Sequence, residues 1–488
     1  MRVLIVVSEA PPIVSGVSRC IERIVQGLEA KGADVDVLSI NDMRRWTFGE
    51  ARVTSFVSHW PTISRDLDQY DVVNLHGPAP TLSDAFLALF RSHRSRRRPA
   101  LVYTHHSCID IDGLGPLCRL YDGLTARLST VADRVIVTTE SYADMVRRPN
   151  GPPIDVIPWG VEATPAANVM RLPAPGPLRV LFVGQHRPYK GISVLLRAVA
   201  DQPGIALTVA GDGPLSSAHR RQAAGAANVT FTGSVSDARL AELYREHDVI
   251  VLPSTTRAEA FGLVLLEGMA AGCVPVASDL PGVRDVAGPT GVLVPPGDET
   301  ALRKALLDLA GDRGRLSHLS AASHREALEH PWSAVAPSYM RAFEDAIHDV
   351  RAERWSDVLR RAMRPPEKRL PEIASRFDAS WWSLVLFDGK GLGSPMARWG
   401  RVAAQEFRDT TPGLAAYVAR SGEPLLIDGD HGPEAIRSML KRPDIRSSMA
   451  VPLEVGEVRG VLSLTSAGRE RRGYTSDDLD ALVQLVAG

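Results

Sequence analysis

Residues 248–254 read DVIVLPS and residues 259–267 read EAFGLVLLE, and these two stretches decide the fold class. The first contains a short apolar run that is typical of a buried strand. The second opens a segment, ending at Gly272, that is apolar on nearly every face of a helix. Because such a helix must be buried, its free N-terminal amides are expected to face the ligand cleft of an α/β domain.

Short apolar runs alternate with longer helical patterns on both sides of this stretch, which predicts parallel sheets with crossover helices. The first series of expected strands is 2–7, 34–39, 71–75, 100–104, 134–138 and 154–157. The second series is 178–183, 205–210, 228–231, 248–252, 274–277 and 291–294. Residues 161–179, rich in proline and alanine, read as an interdomain linker. The fold class is therefore α/β, with two doubly wound, Rossmann-like domains in series.

A different pattern follows the helical sequence that begins at Trp332. Strand-like runs at 381–388, 424–428, 449–455 and 460–465 predict an antiparallel sheet, and 476–486 predicts a closing helix. We expect a separate α+β domain here. The predicted domains are thus 1–165, 166–352 and 353–488.

The composition of the chain argues against a nucleic-acid-binding protein, a cysteine-based metal or redox site and a membrane-spanning protein. The chain has 488 residues, a formal net charge of −1 and 44% hydrophobic residues, so no global field draws it to nucleic acid. The four cysteines have no metal-ligand or redox spacing and are expected to be reduced thiols of a cytoplasmic protein. No run of about 18 apolar residues occurs, so no membrane-spanning helix is expected.

Two carboxylates frame the buried helix. Glu259 precedes it and Glu267 lies two turns in, and carboxylates suit the paired hydroxyl donors of ribose and hexose. The same spacing also fits one capping glutamate and one solvent-facing glutamate. Spacing alone leaves both interpretations open.

With Leu252-Pro253-Ser254 ahead of it, this stretch resembles the retaining glycosyltransferases of family four, which have the two-domain GT-B fold. The resemblance covers residues 1 to about 350. It implies that Glu259 contacts the transferred sugar, that Glu267 binds the ribose, and that the backbone of Phe261, Gly262 and Leu263 holds sugar hydroxyls or phosphate. It also implies an N-terminal acceptor domain, a nucleotide-sugar domain and a helix of about 332–352 that packs back on the first domain.

Further stretches of the nucleotide domain match in order. Residues 183–191, VGQHRPYKG, resemble the first strand-to-helix loop, with Lys190 at the phosphate-binding lysine. Gln185 stands where the family usually has arginine, and Arg187 could reach the same phosphates. Residues 232–235, TGSV, match the loop whose backbone holds the base, which makes Val235 a donor-binding residue.

In the N-terminal domain, Gly16 of Ser15-Gly16-Val17 allows the backbone to approach a phosphate at a helix start, although Ser15 replaces the family's first glycine. His105 aligns with a histidine that faces the reacting sugar. His106 and His76 are weaker site candidates, and each could equally be a hydrogen-bonded structural histidine.

No metal or other cofactor is expected. Asp34-Val35-Asp36 enters a strand and Asp110-Ile111-Asp112 lies in a loop, so neither makes a convincing metal site, and the GT-B resemblance implies none. The basic run from Arg91 to Arg98 reads as a solvated loop or as a contact with anionic lipid head groups at the inner face of the membrane.

The C-terminal sequence resembles a GAF domain, on residues 377–380, 421–428, 448–453, 460–464 and 474–479. The Asn-Lys pair of cyclic-nucleotide-binding members is not evident after Leu464, and no cysteine lies beyond Cys273. A dimerisation module, which would make the protein a homodimer, and a small-molecule sensor are equally supported.

The resemblance thus predicts a metal-independent, retaining hexosyltransferase of polysaccharide biosynthesis, using a UDP- or GDP-sugar and a sugar, lipid-linked or small-molecule acceptor. One alternative is a phosphorylase or sucrose-type synthase on the same fold. The other is a catalytically inactive, nucleotide-sugar-binding regulatory protein, which the departures at Gln185 and Ser15 keep open.

Overall fold

The computed structural model describes residues 1–11, 15–48, 51–93, 98–109, 115–162, 175–362, 366–387, 392–399, 407–408, 413–428, 445–455, 458–468 and 472–487. These residues form two compact units, Met1–Ile347 and His348–Gly488. The predicted boundary at residue 352 falls inside a helix that runs through this division. Residues 163–174 of the predicted linker lie outside the described residues.

The N-terminal domain is built on a parallel sheet with the strand order β2-β1-β5-β6-β7-β8. Its strands are β1 (Arg2–Val7), β2 (Asp34–Ser39), β3 (Arg45–Phe48), β4 (Ala51–Thr54), β5 (Val72–Gly77), β6 (Ala100–His105), β7 (Arg134–Val137) and β8 (Ile154–Val156). Its helices are α1 (Gly16–Glu29), α2 (Phe56–Asp66), α3 (Ser83–Phe90), α4 (Gly115–Leu128) and α5 (Glu140–Val146). The hairpin β3–β4 stands apart from this sheet and was not predicted.

The nucleotide domain has a second parallel sheet, in the order β11-β10-β9-β12-β13-β14. Its strands are β9 (Leu178–Val183), β10 (Ile205–Ala210), β11 (Val229–Gly233), β12 (Val249–Leu252), β13 (Val274–Ser278) and β14 (Val292–Val294). Its helices are α6 (Ile192–Val199), α7 (Ser216–Gln222), α8 (Asp237–Glu246), α9 (Leu263–Ala270), α10 (Val283–Ala287), α11 (Glu299–Gly311), α12 (Arg313–Leu328) and α13 (Trp332–Ala362).

Helices cover both faces of each parallel sheet, so the strands are buried on both sides. This is why their sequences are continuous apolar runs. All residues of β5, β6, β12 and β13 are buried, as expected for central strands. The helix α9 packs against β12 and β13, which confirms the buried helix predicted after Glu259. The two doubly wound domains predicted from the sequence are therefore confirmed.

Each sheet has a switch point, at which neighbouring strands lead to helices on opposite sides. In the N-terminal domain it lies between β1 and β5, and in the nucleotide domain between β9 and β12. Ligands of open α/β sheets bind outside the carboxyl ends of the strands at such points. The loops that follow these four strands are therefore where binding residues belong.

The last long helix of the first unit contacts the N-terminal domain. A single parallel bridge joins Val161 to Pro331, just before α13 begins. An ion pair of 3.5 Å joins Arg134 of β7 to Asp345 of α13. A Cβ built on Gly27 would lie 2.5 Å from the Cβ of Ala336, so α1 and α13 touch at a position where only glycine fits.

The second unit contains an antiparallel sheet in the order β17-β16-β15-β20-β19-β18. Its strands are β15 (Trp381–Phe387), β16 (Leu392–Trp399), β17 (Phe407–Arg408), β18 (Leu425–Ile427), β19 (Ile445–Val455) and β20 (Val458–Ala467). Its helices are α14 (Pro366–Arg376), α15 (Leu414–Ser421) and α16 (Ser476–Ala487). Strands β16 and β17 were missed by the sequence prediction; the α+β class is confirmed.

Candidate functional site

Lys190 and Glu259 meet at the switch point of the nucleotide domain. Lys190 ends a 3-10 turn in the loop after β9, and Glu259 lies in the loop after β12. The Lys190 Nζ atom is 2.5 Å from Oε2 of Glu259. Two predicted site residues separated by 69 positions thus form one ion pair.

Backbone packing between the two loops sets the distance between these side chains. Gly191 has a φ of +68°, and a Cβ built on it would lie 1.9 Å from the carbonyl oxygen of Pro253. The amide of Thr255 donates to the carbonyl oxygen of Tyr189 at 2.8 Å. Because any larger residue at position 191 would push the loops apart, this glycine fixes the ion pair.

The ion pair is nearly buried, with the side chains of Lys190 and Glu259 exposed by 14% and 11%. The Ser254 hydroxyl donates to the same Glu259 Oε2 atom at 3.0 Å. Burial disfavours the Lys190 charge, but the Glu259 carboxylate and the Tyr189 side chain outweigh burial and raise the pKa of Lys190. Lys190 is therefore a permanent cation, held at one edge of the cleft.

The segment after Glu259 forms the N-terminus of α9. Phe261 is 3% exposed, Gly262 has a φ of +78°, and the helix begins at Leu263. No side-chain hydrogen bond caps this end, so the first-turn amides have no cap of that kind. The backbone of Phe261, Gly262 and Leu263, which is predicted to hold sugar hydroxyls or phosphate, therefore lies at a helix start that is suited to an anion.

Glu267 is half-buried further along α9. Its Oε2 atom accepts a hydrogen bond of 2.7 Å from the hydroxyl of Tyr244 on α8. Burial raises the pKa of Glu267, and this effect is opposed by the Tyr244 hydrogen bond and by the charge of Arg19. Arg19 itself forms a 2.6 Å ion pair with Asp237 of α8, so α1 of the N-terminal domain contacts the nucleotide domain here.

The remaining nucleotide-domain predictions lie on two other loops. Arg187 Nε donates to Gln185 Oε1 at 2.8 Å, so the residue that departs from the family pattern is joined to its suggested substitute. Val235 is half-buried between β11 and α8 and packs on the core that contains Phe261. The structure gives these residues positions; their roles stay predictions.

Gly16 is the first residue of α1, as its predicted place at a helix start requires. Ser15 is the N-cap: its hydroxyl accepts from the Ser18 amide at 3.1 Å, and the Ser18 hydroxyl accepts from the Ser15 amide at 2.9 Å. This reciprocal cap extends the helix to Gly16. Among the described residues, none lies within 4 Å of a Cβ built on Gly16.

Three buried histidines lie at the carboxyl ends of β5 and β6 in the N-terminal domain. His105 ends β6, and burial lowers its pKa to about 4. Burial, together with His105, lowers the pKa of His106 to about 3. The pKa of His76 is also lowered by burial and then by His106. All three imidazoles are therefore neutral near pH 7.

These histidines are not equivalent. His76 Nδ1 lies 2.8 Å from His106 Nε2, and His76 Nε2 lies 2.7 Å from Asn74 Oδ1, so His76 is held from both sides. The His105 ring packs instead against the ring of Tyr142, with centroids 5.7 Å apart. His76 and His106 thus form a hydrogen-bonded network, whereas His105 faces an aromatic side chain of α5.

Tyr142, Tyr244 and Ser254 were not predicted as site residues. The Tyr142 hydroxyl donates to the carbonyl oxygen of Arg257 at 3.1 Å, which ties the N-terminal domain to the loop that carries Glu259. Both tyrosines lie on helices, where the sequence pattern assigns them to the core. Ser254 follows β12 in the quoted LPS triplet, so a strand-end rule could have found it.

The described residues contain neither a metal-binding cluster nor a membrane-spanning helix. Among the described residues, no group of three His, Cys, Asp or Glu side chains could hold a metal ion. Asp34 and Asp36 pair with Arg2 at 3.4 and 3.1 Å, whereas residues 110–112 lie outside the description. No helix in the described part of the chain is long and apolar enough to cross a membrane.

The structure describes only part of the basic run from Arg91 to Arg98. Residues 94–97 lie outside the described residues. Arg98 pairs with Asp133 at 2.8 Å, and His93 lies 3.1 Å from Asp68. At least these two basic residues have structural partners.

Family models match all three regions of the chain. Residues 14–164 match the model described as Glycosyltransferase Family 4, and residues 177–312 match Glycosyl transferases group 1. Residues 368–488 match the GAF domain. The predicted resemblances are thereby confirmed.

Two bacterial glycosyltransferases are similar in sequence to this chain. The D-rhamnosyltransferase WbpZ of Pseudomonas aeruginosa is 34% identical over 252 residues, which are 48% of this chain and 63% of that protein. The O-antigen chain mannosyltransferase C of Escherichia coli is 28% identical over 334 residues, or 61% and 85% of the two chains. The present chain thus spans 63% of the first relative's length.

A solved structure shows the same fold. The Alr3699/HepE protein of Anabaena, in complex with UDP and glucose, superposes with a TM-score of 0.53 at 18% identity. The match covers 70% of this chain and 99% of that one. At this identity the likeness concerns the fold, which is that of two Rossmann-like domains facing each other.

Proposed function

We propose that this glycosyltransferase of family 4, which carries a C-terminal GAF domain, transfers a hexosyl unit from a UDP- or GDP-sugar with retention of the anomeric configuration. The observation that carries the proposal is the ion pair of Lys190 with Glu259 at the switch point. It joins a cation to a carboxylate four residues ahead of the start of α9, which has no side-chain cap. UDP in the HepE structure supports a nucleotide-sugar donor.

Lys190 is proposed to stabilise the leaving diphosphate. An ammonium group has three donors, so Lys190 can keep its contact with Glu259 and still reach a phosphate oxygen. Charge grows on the diphosphate as the glycosidic bond breaks, and a fixed cation in a water-poor site stabilises that charge strongly. The amides at the start of α9 add to this effect. We therefore propose that catalysis needs no metal ion.

Glu259 is proposed to position the sugar and not to attack it. Both Lys190 and Ser254 already donate to its Oε2 atom, so these two contacts hold the carboxylate in place. A retaining reaction would then proceed on one face of the sugar, with the departing diphosphate accepting the proton of the acceptor hydroxyl. His105, neutral near pH 7, can exchange hydrogen bonds with the sugar without adding charge.

Glu267 is proposed to bind the ribose. Tyr244 occupies its Oε2 atom and holds the carboxylate in one orientation. The second oxygen can then accept from a ribose hydroxyl, an interaction of the charge-assisted kind. Gly16, Arg187 and Val235 complete the proposed donor site, with Gly16 at the start of α1.

A lipid-linked acceptor is favoured by one surface. On α4, Leu117, Leu120 and Leu124 are 61%, 72% and 50% exposed, and their spacing places them on one side of the helix. Arg119 and Arg127 are exposed on the same helix. An apolar stripe flanked by arginines suits an anionic lipid surface. Leu120→Asp should therefore reduce co-sedimentation with phosphatidylglycerol vesicles, and unchanged binding would contradict this contact.

A donor screen tests the function. The melting temperature of the full-length protein is measured with UDP, GDP and their sugars, since a ligand that binds the native state raises it. Slow hydrolysis of one nucleotide sugar, persisting in EDTA, is expected from an active transferase. Binding without hydrolysis or transfer would favour the inactive regulatory alternative. Loss of activity in EDTA and rescue by manganese would contradict metal independence.

A further inference from the structure

A second cavity, of about 700 Å³, lies between the two Rossmann-like domains. On the N-terminal side it is lined by Thr138 to Glu140, after β7, and by Val156 and Pro158, around β8. On the other side it is lined by residues of α9, α10, α12 and β14. This volume is in the range of pockets that hold small molecules. We call it the seam cavity.

The seam cavity differs from the donor site in both position and contacts. Phe261 lies on its wall, whereas Lys190, Glu259 and Glu267 do not. A Cβ built on Gly282, just before α10, would lie 1.8 Å from the carbonyl oxygen of Ala260 and 2.7 Å from the Tyr142 ring. Tight packing at Gly282 therefore joins the cavity wall to the loop that carries Glu259.

The wall combines an apolar surface with acidic groups. Apolar side chains come from both domains, among them Val156, Phe261, Leu266 and Leu293. Carboxylates are contributed by Glu140, Asp285 and Glu326. The cation Arg284 is balanced by an ion pair of 2.9 Å with Asp279, and His330 lies 3.7 Å from Glu326. The charge around the cavity is therefore negative.

One polar group on the wall has no partner. Thr138 is 1% exposed, and its hydroxyl makes no hydrogen bond to any described residue. An unsatisfied buried hydroxyl costs free energy. This hydroxyl has essentially no accessible surface, so a ligand in the cavity would not reach it, and the shape and charge of the cavity are what point to a ligand.

We propose that the seam cavity binds a small organic cation with an apolar body, such as an arylalkylamine. The apolar body would contact both domains, and the ammonium group would lie near Glu140, because Asp285 accepts two hydrogen bonds from Ser141 and Glu326 lies 3.7 Å from His330. Such a ligand stabilises the arrangement in which the two domains touch. A nucleoside diphosphate, which is anionic and polar, does not fit this chemistry, so the two sites take different ligands.

Titration calorimetry on the full-length protein tests the proposal, with 4-phenylbutylamine as the probe. 4-Phenylbutanol and 4-phenylbutyrate have the same apolar body without the positive charge. We expect saturable binding of one amine per chain, and at least tenfold weaker binding of the butyrate. The proposal is overturned if the amine does not bind saturably, or if all three probes bind equally.

Two substitutions locate the site. Leu293→Trp fills the cavity from β14 and should weaken amine binding at least tenfold; Leu307→Trp on α11, equally exposed at 38% against 37%, should not. Glu140→Gln should reduce the preference for amine over butyrate, and it decides the matter if Leu293→Trp fails to fold. Wild-type binding by both cavity variants would refute the site. Amine binding is measured without UDP, so its outcome is independent of the proposed transferase activity.

Discussion

The two walls of the cleft share a sheet architecture but differ in charge. The nucleotide-domain wall presents the buried ion pair of Lys190 and Glu259, with a second carboxylate at Glu267. The N-terminal wall presents buried imidazoles, and burial keeps His105 and His106 neutral near pH 7. The strand order therefore places the site residues of each domain at the ends of its central strands. The local surroundings of each residue then determine whether it is charged. The Lys190 cation suits the diphosphate of the donor, and a neutral wall suits an uncharged sugar.

The walls are also held by different means. On the nucleotide side, backbone meets backbone at Gly191 and Pro253, so glycine controls the geometry. On the N-terminal side, side chains form a network from Asn74 through His76 to His106. Backbone contacts hold an ion pair at a fixed distance, which is what electrostatic catalysis requires.

Lys190→Ala is expected to have the largest effect, because it removes the cation of the charged wall. We predict a fall in kcat of about 10²–10³-fold with a smaller change in KM, since the charge matters most in the transition state. Steady-state kinetics with the preferred donor measure both. Lys304→Ala, at a lysine whose side chain is 75% exposed, is the control. A raised KM at unchanged kcat would show that Lys190 supplies only uniform binding.

Glu267→Ala should have the next largest effect, on affinity. The ribose hydroxyls would lose a charged acceptor, and UDP or GDP should bind about 10- to 150-fold more weakly, corresponding to roughly 1.5–3 kcal/mol. Calorimetry measures this. Glu242→Ala, at a glutamate with a 51% exposed side chain on α8, should bind like the wild type. Because Ala also leaves the Tyr244 hydroxyl without its acceptor, Glu267→Gln separates charge from hydrogen bonding. Wild-type affinity in Glu267→Ala would exclude the ribose role.

Much of the architecture could be predicted because long apolar runs report burial directly. The central strands of both parallel sheets were found to within two residues, as β5 and β6 show. The hairpin β3–β4 was missed because strands of four residues are too short to reveal a period. Strand β16 was missed because it contains Gly393 and Pro395; the proline sits where the register with β15 shifts.

The contacts within the candidate site were harder to predict from the sequence than the fold. Lys190 and Glu259 could each be named from a motif, but their contact depends on how Gly191 packs against Pro253. Tyr142 and Tyr244 contact the site through tertiary packing between helices and loops, which leaves no local pattern. Motifs therefore identify single residues, whereas the pairs that set charge come from the fold.

Removal of the second unit should have a smaller effect, because both walls lie in the first unit. A chain ending at Arg351 keeps α13 contacts such as the Arg134–Asp345 ion pair. We predict transfer within about tenfold of the full-length rate, or at most roughly 1.4 kcal/mol in barrier. The GAF domain would then regulate the cleft or pair two subunits. A truncated chain that is folded by circular dichroism yet inactive would show that the walls alone are not sufficient.

The smallest expected effect concerns the neutral wall and its response to acid. Burial lowers the pKa of His105 to about 4, whereas an unfolded histidine titrates near 6.5. Between these values the unfolded chain binds a proton that native His105 does not, so stability falls as the pH falls through this window.

His105→Gln removes this contribution, and it also removes the effect of His105 that lowers the pKa of His106, which acts in the same direction. The drop in melting temperature from pH 7 to pH 5 should therefore be smaller in the variant, by roughly 2–4 °C for about 2 kcal/mol. Scanning calorimetry at both pH values measures it. His318→Gln, at an exposed histidine of α12, should behave as the wild type. If both variants lose as much as the wild type on acidification, His105 takes up its proton in the native state, and the N-terminal wall is not neutral.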